Sequence, residues 1–165
     1  MLRSNKIRIS NTPNVLNAAT AEQAMTLMLA AARNTVVGVE LSMGSNMPEL
    51  DINFHGRQFS NSTVGIVGMG RIGFAVAKRA KAFDCQILYH NRSERDDATQ
   101  IGAKYFKDLN QMLPLCDFVC VVVALTPQTR HMFKLEQFKA MKKTAIFCNV
   151  SRGDTVDQVR LIQIT

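Results

Sequence analysis

The stretch TVGIVGMGRIGFAVAKRAKAF, residues 63–83, decides the fold of this chain. Its opening, TVGIVG, is a short apolar run typical of a buried strand, and the remainder carries apolar residues at helical spacing. The motif G-x-G-x-x-G of residues 68–73 lies between them, after a predicted strand and at the start of a predicted helix. The stretch therefore predicts the first strand, turn and helix of a parallel α/β sheet.

The same alternation continues toward the C-terminus. Strands are predicted at QILYH (86–90), AKYF (103–106), DFVCVVVAL (117–125) and TAIFCNV (144–150). Helices are predicted at KDLNQMLP (107–114), KLEQFKAMK (134–142) and TVDQVRLIQ (155–163). Strands that alternate with helices form parallel sheets with right-handed crossovers. We therefore predict a Rossmann-type, doubly wound α/β fold whose parallel sheet is incomplete, with about five strands.

The N-terminal third has a different pattern. KIRIS, residues 6–10, alternates like a strand. Thr20 and Gln23 have the spacing of a capping box, which predicts that a helix begins there. The body of that helix, AMTLMLAAAR (24–33), is apolar nearly all round and is expected to pack between two layers or against a partner. Residues 44–62, rich in Gly, Pro and Asn, are predicted to be a connecting segment.

Composition limits the class of protein. A chain of 165 residues with 47% hydrophobic and 20% charged residues has the size and make-up of a globular domain. It contains no run of about 20 apolar residues and no signal-peptide core, so we expect a soluble, cytoplasmic protein without a membrane partner. The four cysteines form no paired C-x-x-C motifs, which favours buried thiols and no metal site.

The formal net charge of +7 leaves two interpretations open. Clustered basic residues would indicate nucleic acid, but here they are scattered over predicted helix faces, as at residues 78–81 and 139–143. Solvated helix faces are therefore favoured, and we expect no nucleic-acid partner. A basic balance also suits an anionic cofactor and an anionic substrate.

In this context the glycine motif predicts a dinucleotide-binding turn, with a purely structural turn as the alternative. The first glycine permits the tight turn, the second lets the backbone approach a pyrophosphate, and the third lets the helix pack on the strand. The pyrophosphate would lie on the helix N-terminus, where free N–H groups favour an anion. The predicted cofactor-binding residues of this turn are Gly68, Met69, Gly70, Arg71, Ile72 and Gly73.

The end of the next strand indicates which dinucleotide is bound. An Asp or Glu about twenty residues after the glycines would hold the ribose 2′-OH of NAD. Asn91, Arg92 and Ser93 stand there instead, and the first carboxylate, Glu94, comes later. Arginine beside a hydroxyl binds a 2′-phosphate, which a carboxylate would repel. We therefore predict NADP(H) in preference to NAD(H).

Four ordered motifs resemble those of the D-isomer-specific 2-hydroxyacid dehydrogenases, and among them the glyoxylate and hydroxypyruvate reductases. They are NTPNVLNAATAEQAMTLMLAAARN (11–34), STVGIVGMGRIGFAVAKRAKAF (62–83), ALTPQTR (124–130) and CNVSRGDTVDQ (148–158). The resemblance implies reduction of a small 2-oxo acid by hydride from a nicotinamide cofactor, in a cleft between two α/β domains of a homodimer.

The resemblance also implies roles for particular residues. The arginine that binds the substrate carboxylate corresponds to Arg152 of the S-R-G motif, and a structural or surface arginine is the alternative. The nicotinamide and its ribose would be lined by two segments, although Thr126 could instead cap the following turn. The lining residues implied are Ala124, Leu125, Thr126, Pro127, Val150 and Ser151.

Two departures from the family pattern affect the expected activity: the catalytic Glu and His do not appear, and most of the N-terminal substrate domain is missing. The catalytic Glu and His of the family follow the S-R-G motif, and His55, His90 and His131 all precede Arg152, so none corresponds to the catalytic His. We therefore expect a chain shortened at both ends, inactive alone because a missing general acid costs about 10² to 10⁴ in rate. The expected divisions are a substrate-domain remnant (1–13), an interdomain helix and linker (14–62) and an incomplete dinucleotide-binding domain (63–165).

Two other functions remain possible from the sequence. The chain could be a non-catalytic cofactor-binding or dimerisation module that regulates full-length subunits. It could also belong to the corepressor branch of the same family, which senses dinucleotides, although the sequence shows no sign of peptide-motif binding.

Overall fold

The computed structural model describes residues 10–44 and 52–158, and within them the chain forms one five-stranded sheet. The strands are β1 (Thr63–Val67), β2 (Gln86–His90), β3 (Lys104–Phe106), β4 (Phe118–Val121) and β5 (Ile146–Asn149). Their order is β3-β2-β1-β4-β5, and every neighbouring pair is parallel. The predicted Rossmann-type α/β fold is confirmed.

The helices lie on both faces of this sheet. They are α1 (Asn17–Ala32), α2 (Thr35–Met43), α3 (Arg71–Lys81), α4 (Leu109–Met112) and α5 (Leu135–Ala140). Short 3₁₀ helices occupy Ile52–His55, Asp96–Ile101, Leu113–Leu115 and Gly153–Thr155. Helices α1 and α3 pack against each other on one face, while α4 and α5 contribute to the other.

The order in which strands are added to the sheet reverses between β1 and β4, although all strands run parallel. From β1 the chain crosses to β2 and β3 on one side, and then returns to β4 and β5 on the other. Val67 of β1 pairs with Val121 of β4, so the carboxyl ends of these two strands lie side by side. Open α/β sheets bind ligands in the crevice at such a switch point.

A hydrophobic core lies on each face of the sheet. Val64 and Ile66 of β1 belong to the core shared with α1 and α3, whereas Val67 belongs to the core on the opposite face. This alternation is what a strand covered on both faces requires. The four cysteines, Cys85, Cys116, Cys120 and Cys148, are free and buried, as predicted, and burial raises the pKa of the Cys116 thiol to about 12.

Several predicted boundaries are wrong. Helix α1 begins at Asn17, and no side chain caps it, so the capping box at Thr20 and Gln23 does not form. Thr20 lies within the helix, and its backbone N–H donates to Leu16 O at 2.9 Å. Strand β4 ends at Val121, four residues before the predicted end at Leu125.

Helix α2 was not predicted. Its apolar residues follow no single helical face, and none of its residues is buried, although the Phe54 ring lies close to Gly38. The predicted strand at 6–10 lies outside the described residues, apart from residue 10. The predicted helix at 155–163 lies mostly outside them.

Among the described residues, no single helix is long and apolar enough to cross a membrane. Helices α1 and α2 would pass together by length and composition only, and they meet at a bend of 65°. The same part of the chain contains no group of three His, Cys, Asp or Glu side chains that could hold a metal ion.

Candidate functional site

The glycine turn is packed so closely that two of its three glycines have no room for a side chain. Gly68 has φ +103°, and its N–H donates to the carbonyl of His90 at the end of β2, 2.9 Å away. A Cβ on Gly68 would lie 2.8 Å from Val122 O, and one on Gly73 would lie 2.1 Å from Gly68 O. These two residues therefore serve the tight turn and the close packing of α3 on β1.

Gly70, the second glycine of the motif, faces open space. Apart from Gly70 and its two chain neighbours, no residue places an atom within 4 Å of the position that a Cβ would occupy, and α3 begins at Arg71. Gly70 caps the helix without a side-chain bond, and the first turn carries no acidic residue. The first N–H groups of a helix have no partner within it. An open, positively polarised helix end of this kind fits the pyrophosphate of a dinucleotide.

A cavity of about 390 Å³ extends from this turn across the switch point. Its walls come from the start of α1, the glycine turn, the segment after β4 and the segment after β5. The residues that line it are Asn17, Gly70, Arg71, Ile72, Val122, Val123, Ala124, Val150, Ser151 and Arg152. Seven residues predicted from the sequence to form the site therefore share this cavity, and none of the three histidines lines it.

Arg152 is presented by a hydrogen-bonded loop at the carboxyl end of β5. Its side chain is exposed, and its Nη1 donates to Ser151 O at 3.1 Å. Asn149 Nδ2 donates to Arg152 O at 3.1 Å, and the buried Thr155 hydroxyl donates to the same carbonyl at 2.7 Å. Asn149 Oδ1 accepts from the N–H and the hydroxyl of Ser151, at 3.0 and 2.7 Å. The backbone around Arg152 is therefore fixed from both sides.

Sequence reasoning missed Asn149 and Thr155. Each could have been suspected only as a polar residue beside the S-R-G motif, since their pairing depends on the 3₁₀ turn Gly153–Thr155. Their mutual bond, Asn149 Nδ2 to Thr155 Oγ1 at 3.1 Å, closes the network.

The loop after β2 holds the residues predicted to read the ribose. Asn91 Nδ2 donates to Ser93 O at 3.1 Å, and Tyr105 OH donates to Asn91 O at 3.2 Å. Arg92 is exposed and makes no hydrogen bond or ion pair with any residue that the structure describes. These residues do not line the cavity, but they follow His90, whose carbonyl holds the glycine turn. Arg95, also missed from the sequence, reaches that turn from the same loop.

The segment after β4 lines the cavity as far as Ala124. Ala124 lines the cavity, whereas the three residues after it, 125–127, continue into an exposed turn outside the lining. Thr126 Oγ1 accepts from Thr129 N–H at 3.3 Å, and Thr129 Oγ1 donates to Ala124 O at 2.6 Å. This geometry supports the capping role for Thr126, and its contact with a nicotinamide ribose stays a prediction.

The sequence is similar to a family of dehydrogenases and to individual proteins within it. The model of the D-isomer specific 2-hydroxyacid dehydrogenase NAD binding domain matches residues 25–165. A glyoxylate reductase of Pyrococcus horikoshii is 40% identical over 162 residues, which cover 95% of this chain and 48% of that protein. The chain spans about half the length of the curated relatives it matches.

Solved structures show the same partial coverage. The crystal structure of a glyoxylate reductase from Paecilomyes thermophila is similar with a TM-score of 0.85 and 33% identity, over 98% of this chain and 48% of that one. The D-lactate dehydrogenase of Aquifex aeolicus, solved with NAD and lactic acid, is similar with a TM-score of 0.87 and 25% identity, over the same shares.

Proposed function

The chain belongs to the D-isomer specific 2-hydroxyacid dehydrogenase family, and we propose that it is the cofactor-binding portion of a reductase that uses NADPH. Its substrate would be a small 2-oxo acid of the glyoxylate or hydroxypyruvate type. The observation that carries this proposal is the cavity that joins Gly70 and the α3 N-terminus to Arg152. One wall suits a pyrophosphate, and the other presents a planar cation suited to a carboxylate.

The residues of the chain then have distinct tasks. The glycine turn and the first turn of α3 bind the pyrophosphate, and Arg92 with Ser93 binds the 2′-phosphate. The segments at residues 124–127 and 150–151 line the nicotinamide, which supplies the hydride when it is bound. Arg152, whose backbone carbonyl is held by Asn149 and Thr155, holds the substrate carboxylate and so orients the carbonyl.

We also propose that the chain alone does not turn over. The His that protonates the developing alkoxide in this family, and the Glu that supports it, have no counterpart among the 165 residues. We propose, in addition, domain divisions at 1–13, 14–62 and 63–165. The same proposal includes a cytoplasmic location and no nucleic-acid partner. NADPH oxidation with glyoxylate or hydroxypyruvate at the rate of ordinary reductases would refute the inactivity.

The cofactor preference is tested by titrating the purified chain with NADPH and NADH, using nicotinamide fluorescence. We expect tighter binding of NADPH, because the free guanidinium of Arg92 offers charge-assisted hydrogen bonds to the 2′-phosphate. Arg92→Ala should lose about tenfold in NADPH affinity and leave NADH unchanged. Tighter binding of NADH, or an unchanged NADPH affinity in Arg92→Ala, would contradict the preference.

A second candidate function is favoured by helix α2. Val36 is 65% exposed and Met43 is 83% exposed, although both are apolar side chains of an apolar helix. A contiguous exposed apolar surface commonly marks a protein interface. We propose that α2 packs against a second copy of this fold, either in a homodimer or on a full-length subunit that the chain regulates. Light scattering of the chain alone, and co-purification with the full-length protein, distinguish these cases.

A further inference from the structure

Arg95 connects the loop after β2 to the glycine turn. Its Nη1 donates to the carbonyl of Met69 at 2.9 Å, and its Nε donates to Asp97 Oδ1 at 2.6 Å. Its Nη2 pairs with the other oxygen of Asp97, so the fork is bidentate. The guanidinium carbon lies 5.2 Å from the ring centroid of Phe74 on α3. A guanidinium held at its edge by a carboxylate and at its face by a ring has a fixed orientation.

These contacts separate the roles of two neighbouring arginines. Arg95 has its charge paired with Asp97, and its side chain is 29% exposed. Its hydrogen bond holds the pKa of the Asp97 carboxyl below the usual value, so the pair stays ionised at neutral pH. Arg92 is exposed and makes no such bond to a described residue. Arg95 is therefore committed to the protein, and Arg92 is available to a ligand.

The carbonyl that Arg95 holds lies within the glycine motif. Met69 precedes Gly70, and no cis peptide bond occurs among the described residues. In a trans peptide the C=O and the following N–H point in opposite directions. Fixing Met69 O therefore fixes the direction of the Gly70 N–H. This peptide would otherwise rotate easily, because Gly70 lacks a Cβ and has open space around it.

We propose that Arg95 is a positioning residue for the cofactor pyrophosphate. It holds the Met69–Gly70 peptide with the amide directed at the bound phosphates, while Arg92 recognises the 2′-phosphate. This inference rests on the proposed dinucleotide binding and adds a residue that acts through the glycine turn. Because Asp97 is 40% exposed, the Arg95–Asp97 ion pair contributes little to folding stability. Its effect is on the orientation of the Met69–Gly70 peptide.

The test uses two ligands that each carry one of the two phosphate features. ADP-ribose has the pyrophosphate without a 2′-phosphate, and adenosine 2′-monophosphate has the reverse. Calorimetry of the purified chain is expected to show that Arg95→Met lowers ADP-ribose affinity about tenfold and changes adenosine 2′-monophosphate affinity less than twofold. The matched control, Arg92→Met, should show the opposite pattern. Arg95→Lys, which keeps a donor for Met69 O, should restore part of the ADP-ribose affinity.

The outcomes separate this inference from the proposed function. If Arg95→Met weakens both ligands equally, or neither, Arg95 has no positioning role. If Arg95→Met does not fold, Asp97→Asn takes its place, because it loosens the fork while keeping the packing on Phe74. The same selective loss of ADP-ribose, smaller in size, is then expected, and an unchanged affinity overturns the inference. A wild-type chain that binds neither ADP-ribose nor NADPH overturns the proposed function and this inference with it.

Discussion

The two walls of the cavity are held in place by different means. The glycine turn is held by close packing, since a Cβ on Gly73 would lie 2.1 Å from a backbone oxygen. The Arg152 loop is held by hydrogen bonds from Asn149 and Thr155. At Gly68 and Gly73 the first wall depends on the absence of side chains, whereas the second wall depends on their presence. The two walls should therefore respond differently to substitution.

The largest effect is expected at the packed wall. Gly73→Ala should lower the free energy of unfolding by about 3 kcal/mol. The new methyl group would clash with the backbone of Gly68, which cannot move aside as a flexible side chain could. Urea denaturation followed by circular dichroism measures this loss.

The matched control for Gly73→Ala is Gly70→Ala, whose methyl group would meet no atom within 4 Å. It should change the free energy of unfolding by less than about 1 kcal/mol while weakening ADP-ribose binding. Equal destabilisation by the two substitutions would show that close packing does not hold this wall.

A smaller effect is expected at the hydrogen-bonded wall. Thr155→Val keeps the shape of a buried side chain but removes the hydroxyl that donates to Arg152 O and accepts from Asn149. The free energy of unfolding should fall by about 2 kcal/mol, since buried polar groups lose a partner. Thermal or urea unfolding measures it, and Thr155→Ser should recover most of the loss. If Thr155→Val leaves the free energy of unfolding unchanged, the network contributes nothing to the stability of the fold.

The smallest effect is expected from a charged network at the amino ends of β1 and β4, away from both walls. Asp117 Oδ2 accepts from Thr63 N–H, and its Oδ1 accepts from Lys142 Nζ, both at 2.9 Å. Burial alone would raise the pKa of Asp117, but these hydrogen bonds outweigh burial and lower it. A lowered pKa stabilises the fold above the ordinary value of about 3.9, and this stability is lost as pH falls through the folded-state pKa.

The corresponding measurement compares wild type with Asp117→Asn from pH 7 down to pH 3. The difference in the free energy of unfolding should be constant near neutrality and should shrink below about pH 4. The effect of Thr155→Val involves only neutral groups and should stay constant over the same range. A difference for Asp117→Asn that grows toward acid pH would contradict the lowered pKa.

The packed wall could be predicted from the sequence, and the hydrogen-bonded wall could not. The glycine spacing after a strand already specifies a tight turn and a closely packed helix, because only glycine satisfies both demands. Thr155 and Asn149 are ordinary polar residues in the sequence, and their roles arise when the 3₁₀ turn brings the hydroxyl to the Arg152 carbonyl. Arg95 is similar, since Met69, Phe74 and Asp97 meet only in the folded chain.

The errors at the N-terminal side have a related cause. A capping box is a local pattern, and it does not form here because the helix already begins three residues before Thr20, at Asn17. Helix α2 was missed because its apolar residues follow no single face, which is the signal on which sequence reasoning depends.

The open space at Gly70 has an evolutionary consequence. Substitutions at Gly68 and Gly73 are opposed by the fold itself, whether or not a dinucleotide binds, while a Cβ at Gly70 has open space around it. In a gene copy released from selection for cofactor binding, Gly70 should drift while its two neighbouring glycines persist. Natural variation at this one position would therefore report whether organisms that carry this chain still use it to bind a dinucleotide.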